Sequence, residues 1–133
     1  MQISALTPAS DEKISAYALY DSARLARLAI VNFNEWNGTN SFARPNTTFT
    51  VKGLSLNRAT GRRLTAPDGA SADTDLTFGG LRWNFSTNGL SERAPGIEGE
   101  EKLDLNENSE LDVVVGASEA MLVELELNDD DDV

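Results

Sequence analysis

The stretch from Leu25 to Trp36, LARLAIVNFNEW, constrains the fold more than any other. Its middle, Leu28-Ala29-Ile30-Val31, is apolar at consecutive positions, so both faces of a pleated strand would carry hydrocarbon there. Such a run predicts a strand covered on both sides, at the centre of a sheet or sandwich. Ile14 to Tyr20 (ISAYALY) reads as a second strand. The short polar link Asp21-Ser22-Ala23-Arg24 then predicts a hairpin.

The rest of the chain continues in short runs. Thr47 to Val51, Leu54 to Leu64 and Leu111 to Val115 read as strands, with Gly61 marking a turn or bulge in the second. Thr77-Phe78, Arg82 to Phe85 and Lys102 to Leu105 read as shorter pieces. Ala120 to Leu127 places Met121, Val123, Leu125 and Leu127 on one face and Leu122, Glu124 and Glu126 on the other, which predicts a strand buried on one side. Asn37 to Asn46, and Ser91 to Gly99, read as loops. With ten glycines and no long amphipathic repeat, the expectation is an all-β fold, an antiparallel β-sandwich of roughly eight strands. Residues 1–13 read as a flexible lead or linker stump, 14–127 as the sandwich and 128–133 as an acidic tail.

The 133 residues suffice for one domain but not for an enzyme barrel of about 250 residues. The chain has neither His nor Cys. That excludes a Ser-His-Asp triad, a Cys nucleophile, a His/Cys metal site and disulfides. No cofactor is expected. The net charge of −11 is uneven: residues 1–91 carry +2 and residues 92–133 carry −13. An acidic end disfavours nucleic acid as a partner, because phosphates require neutralising cations. No apolar run approaches the roughly 20 residues of a membrane span. The first residues, MQISALTPAS, lack the basic region and apolar core of a signal peptide.

Three longer passages carry a resemblance. YALYDSARLARLAIVNFNEWN, RLTAPDGASADTDLTFGGLRWNFSTNGL and VVGASEAMLVEL, in this order, resemble the C-terminal β domain of glycoside hydrolase family 79, which includes β-glucuronidases and heparanase-like enzymes, many of them fungal. The resemblance covers about Ile14 to Leu127. It implies an accessory β-sandwich that packs beside a (β/α)8 barrel holding two catalytic Glu residues. That barrel is not in this sequence, so the resemblance transfers no catalytic residue. The chain reads as part of a glycosidase, or as a stand-alone relative of that part. The resemblance also implies an extracellular or secreted parent. An isolated copy is then expected to expose an apolar flank larger than a few hundred Å².

Asn34-Glu35-Trp36 is the motif closest to chemistry, since an Asn-Glu pair at a strand end often carries the acid/base of a glycosidase. Hydrolysis also needs a second carboxylate, about 5–5.5 Å away for retention or about 6.5–9.5 Å for inversion. No partner for Glu35 is identifiable, so packing by Trp36 and loop hydrogen bonds by Asn34 and Glu35 are the expected roles. Asp68, Asp73 and Asp75 lack the ligand spacing of a calcium loop and read as turn residues. Arg58, Arg62 and Arg63 need not form one patch, since alternate residues face opposite ways. Trp36, Phe78, Trp83 and Phe85, with Phe42, are expected as interface aromatics or, for a carbohydrate-binding module, as sugar-stacking platforms. Asn37, Asn46 and Asn84 open N-x-S/T triplets and are candidate glycosylation sites.

Overall fold

The computed structural model describes residues 2–6, 13–39, 41–72, 75–83, 88–97 and 99–128. Eleven strands occur among them, and no helix. They are β1 (Gln2–Leu6), β2 (Ile14–Asp21), β3 (Arg24–Asn32), β4 (Asn46–Val51), β5 (Leu56–Thr65), β6 (Thr77–Phe78), β7 (Leu81–Trp83), β8 (Ser91–Arg93), β9 (Glu101–Leu103), β10 (Leu111–Gly116) and β11 (Glu119–Leu127). Every pairing is antiparallel. The larger sheet runs β1-β2-β3-β11-β5-β6-β7-β8, with β9 added to β5, and β10 pairs β4 in a second, two-stranded sheet. The all-β sandwich expected from the sequence is the observed architecture.

The β2–β3 hairpin forms as its spacing predicts. Ser22 and Ala23 sit at φ 53° and 64°, the doubly left-handed geometry of a type I′ turn. Neither is Gly or Asn, so the pairing of the flanking strands must compensate for the strain. β3 lies between β2 and β11, and β5 flanks β11 on the other side. From β3, Leu28 and Ile30 point inward, joined by Ala18 of β2, Ala59 of β5, and Met121 and Val123 of β11. Leu111, Val113 and Val115 of β10 cap them, each at 0% exposure, with Phe49 and Val51 of β4 packed alongside.

Several expectations are revised. The two-sided burial expected of Leu28 to Val31 is not observed. The inner residues are 3% exposed, but Ala29 and Val31 are only half-buried, because no second layer lies over that face among the described residues. Gly61 makes neither turn nor bulge. It lies inside a continuous β5 opposite Val123, and a Cβ there would sit 2.6 Å from Met121 Sδ. A larger residue there would have to displace the Met121 side chain, which occupies the space. The proposed loop at Ser91–Gly99 contains β8, held against β7. The lead expected over residues 1–13 includes β1, which pairs Gln2–Leu6 with Tyr20–Ala16 as an exposed edge strand. At the far end, Asn128 is tied to Ser55 by its backbone N–H and its side chain, each at 2.9 Å.

Candidate docking surface

Strand pairing fixes which side chains share the outer face of the larger sheet. Val31 pairs with Ala120, and Ala120 with Leu64, which pairs with Phe78. One row further on, Ala5, Tyr17, Ala29 and Leu122 stand abreast. Tyr17 is 38% exposed, Leu64 39%, Leu76 55%, Phe33 61% and Ile3 63%. Together with Ala5, Ala29 and Leu122, all but Ile3 form an open hydrocarbon surface across β1, β2, β3, β11 and β5; Ile3 lies one row further, abreast of Leu19 and Arg27. Scattered surface apolar residues are ordinary, but a contiguous set on one sheet face marks an interaction surface.

The same face becomes ionic two residues further along the strands. Arg27 of β3 meets Glu124 of β11 at 3.7 Å. Arg58 meets Glu126 at 2.9 Å one row beyond, whereas Arg62, which pairs with Leu122 at the β5 end of the apolar row, meets Glu100 at 3.1 Å. The arginines of β5 thus separate as alternation requires: Arg58 and Arg62 lie outward, and Arg63 inward beside Met121. The outer face is therefore divided into an apolar half, bordered at β5 by the Arg62–Glu100 pair, and a charge-paired half.

At the apolar end lies a hollow of about 440 Å³, lined by Val31, Phe33, Glu35, Leu64, Leu76 and Ala120, among others. Its floor is held by a polar knot. The Glu119 carboxylate accepts hydrogen bonds from Arg63 at 3.0 Å and Gly116 N–H at 2.9 Å, and also from Arg44 and Thr65. Burial alone would raise the Glu119 carboxyl. The hydrogen bonds from Thr65 and Gly116, with the charges of Arg63 and Arg44, outweigh it and hold the group below the usual carboxylate range. Arg63 is also gripped by Glu101 through two bonds, at 2.9 and 3.0 Å. Burial would lower the Arg63 guanidinium, but Glu101 and Glu119 raise it above its ordinary value. The Arg44 guanidinium lies 4.5 Å from the Trp36 ring centroid, a cation–π contact.

The knot fixes the loop after β3. Trp36 N–H donates to Ser118 Oγ at 3.0 Å, and Trp36 C=O accepts from Ala70 N–H at 2.7 Å. Asn34 donates from its backbone and its side chain to Asn32 Oδ1, at 3.1 and 2.8 Å. Gly69, at φ 60°, brings its backbone against Trp36, where a Cβ would lie 2.2 Å from the Trp36 carbonyl oxygen. Trp36 is thus packed at the sheet end, while the Asn34 side chain donates to the Asn32 side chain. Glu35, between them, is exposed on the rim of the hollow.

The remaining candidates are dispersed. Trp36 donates from Nε1 to the Phe42 carbonyl, and its ring is held between Arg44 and Gly69, while the Phe42 side chain is exposed. Phe78 stands beside Leu64 on the outer face, and Trp83, 51% exposed, pairs with Ser91 towards the β8 edge. Asp68 lies in a turn whose carbonyl accepts from Gly38 and Ser71. Asp75 is exposed at φ 61°. No group of three or more His, Cys, Asp or Glu converges as a metal site among the described residues. Asn37 is half-buried in a bridge to Gly69, and Asn46 is exposed at the start of β4. Asp73, Asn84 and Phe85 lie outside the described residues. Sequence reasoning missed the knot. The only local signal is the pairing of Gly116 with Glu119 across a tight turn, because Arg44 and Arg63 lie 75 and 56 residues from Glu119.

A two-sheet all-β domain with one covered and one open apolar face belongs to the class of β-sandwiches. The sequence profile described as "Glycosyl hydrolase family 79 C-terminal beta domain" matches residues 16–122, and the chain belongs to this family. Among solved structures it is similar to a 4-O-α-L-rhamnosyl-β-D-glucuronidase from Fusarium oxysporum, with a TM-score of 0.73 and 27% identity. That match covers 92% of this chain and 26% of the glucuronidase chain, so this sequence spans about a quarter of the length of that relative. An arabinofuranosidase structure matches at 17% identity and TM-score 0.47, over 86% of this chain and 19% of that one. A comparison with curated protein sequences gave no match. Among the described residues no helix is long and apolar enough to cross a membrane.

Proposed function

We propose that this chain is the accessory, non-catalytic β domain of a family 79-type glycosidase, packing against a (β/α)8 barrel and stabilising it. The observation that carries this reading is the open apolar half of the outer sheet face. Family membership and the length of the solved glucuronidase indicate the occupant: the rest of a glycosidase chain. Hydrolysis by this chain alone would require two opposed carboxylates, and the described Glu35 sits in a hollow whose other acidic lining residue, Glu119, is engaged by Arg44 and Arg63. Catalysis is assigned to the barrel.

The test is co-expression of this chain with the Fusarium oxysporum glucuronidase chain lacking its matching segment. Co-migration in sedimentation, with recovered glucuronidase activity, supports the accessory role. Separate migration with no recovery overturns it. A stand-alone carbohydrate-binding module is the alternative reading, favoured by the exposed Trp83, and a shift of its fluorescence on adding oligosaccharide would support it. The family also supports an exported parent. Expressed through a secretory route, Asn46 is the best-presented glycan acceptor, whereas Asn37 is tied into its bridge to Gly69.

A further inference from the structure

Glu35 differs from the other carboxylates of the outer face. Glu124, Glu126 and Glu100 each meet an arginine of the same chain, at 3.7, 2.9 and 3.1 Å. Glu35 forms no ion pair among the described residues, although it lies at the rim of the apolar hollow with Val31, Phe33, Leu64 and Leu76. Its neighbours are pinned: Asn34 by Asn32, and Trp36 by Ser118 and Ala70. The backbone that carries Glu35 is therefore fixed before any partner arrives, which reduces the ordering cost of a contact made there. A carboxylate covered by an apolar interface without a counter-charge is strongly disfavoured. An unpaired charge within a docking footprint thus specifies a complementary charge on the occupant.

We infer that Glu35 is the charged specificity contact of the docking surface: it pairs with a Lys or Arg of the glycosidase barrel, set beside apolar side chains that enter the hollow of about 440 Å³. This rests on the accessory-domain reading and sharpens it. The hydrocarbon surface supplies area, whereas Glu35 sets register and orientation. The arginine-paired half of the face stays outside the footprint, because its charges are already satisfied.

The experiment uses the full chain co-expressed with the Fusarium oxysporum glucuronidase chain lacking its matching segment, and reads affinity by sedimentation at low and high salt. Glu35→Lys weakens association by roughly tenfold or more, and Glu35→Gln less but with a flatter salt dependence. Glu126→Lys, in the ionic half, binds as the unmodified chain does. Phe33→Asp abolishes binding. If Glu35→Lys binds unchanged while Phe33→Asp fails to bind, the charged contact is overturned and the accessory reading stands. If Phe33→Asp binds unchanged, or the unmodified chain does not bind, the docking face itself is wrong and both fall. Circular dichroism of each variant separates lost binding from lost folding.

Discussion

The two faces of β3 carry similar residues with different fates. Leu28 and Ile30 meet Leu111, Val113 and Val115 and are almost fully buried. Ala29 and Val31, one position away, meet only lateral neighbours on their own sheet and remain half-buried. Hydrocarbon within a strand therefore does not itself specify burial; a covering layer does. The small β4–β10 sheet covers one side. The other side is open among the described residues, and on it the end around Val31, Leu64 and Phe33 is apolar.

The largest expected contrast is energetic. Met121→Ala on the inner face lowers stability by about 2–5 kcal/mol, the range for emptying a packed core site. Val31→Ala on the outer face lowers it by less than about 1 kcal/mol in the isolated chain, since little new cavity forms. Urea unfolding monitored by tryptophan fluorescence measures both. Equal losses would break the comparison and show that the outer face is covered even without a partner.

Next is the knot beneath the hollow. Glu119→Ala removes the carboxylate that Arg44 and Arg63 share and lowers stability by about 3 kcal/mol, the lower end for breaking a buried pair. Its pH signature has a defined sign. The Glu119 carboxyl is held below its ordinary range in the folded chain, so its contribution is fully present above the unfolded value of about 4.3. It is lost as pH falls through the lower folded-state value. Melting temperature followed from pH 7 to pH 3 should show that acidic loss in the unmodified chain, and a flatter curve in Glu119→Gln.

The smallest effects belong to the ionic half. Arg58→Ala should leave the urea midpoint unchanged within error, because its pair with Glu126 is solvated and screened. Against that baseline, the isolated chain should self-associate weakly with rising concentration, and Phe33→Asp should suppress this. Sedimentation of the two proteins side by side decides it. Identical behaviour would mean that the apolar end is not adhesive and would undercut its role as a docking surface.

Elements whose signal is local were legible in the sequence. The hairpin across Ser22-Ala23 followed from two apolar runs and a short link, and β11 followed from its alternation. β1 was not legible, although Ile3 and Ala5 alternate with Gln2 and Ser4, because five residues are too short a run to separate from a polar lead. β8, three polar residues, is shorter still. Glu35 stood out as an Asn-Glu pair at a strand end, but its isolation from arginines became visible only when Arg27, Arg58 and Arg62 were seen paired elsewhere. The Glu119 knot joins four separate segments, and no spacing rule links residues so far apart.

The sequence by itself determined the fold class, the central hairpin, the inward face of β11 and, through the resemblance of three long passages, the family. Local periodicity and turn chemistry act over a few residues, so they can be read along the chain. Only the tertiary structure decided which face of β3 is covered, which core side chain Gly61 lies against, and where the outer face changes from hydrocarbon to ion pairs. Those properties depend on which strands lie side by side and on what lies above them, and long-range pairing sets both.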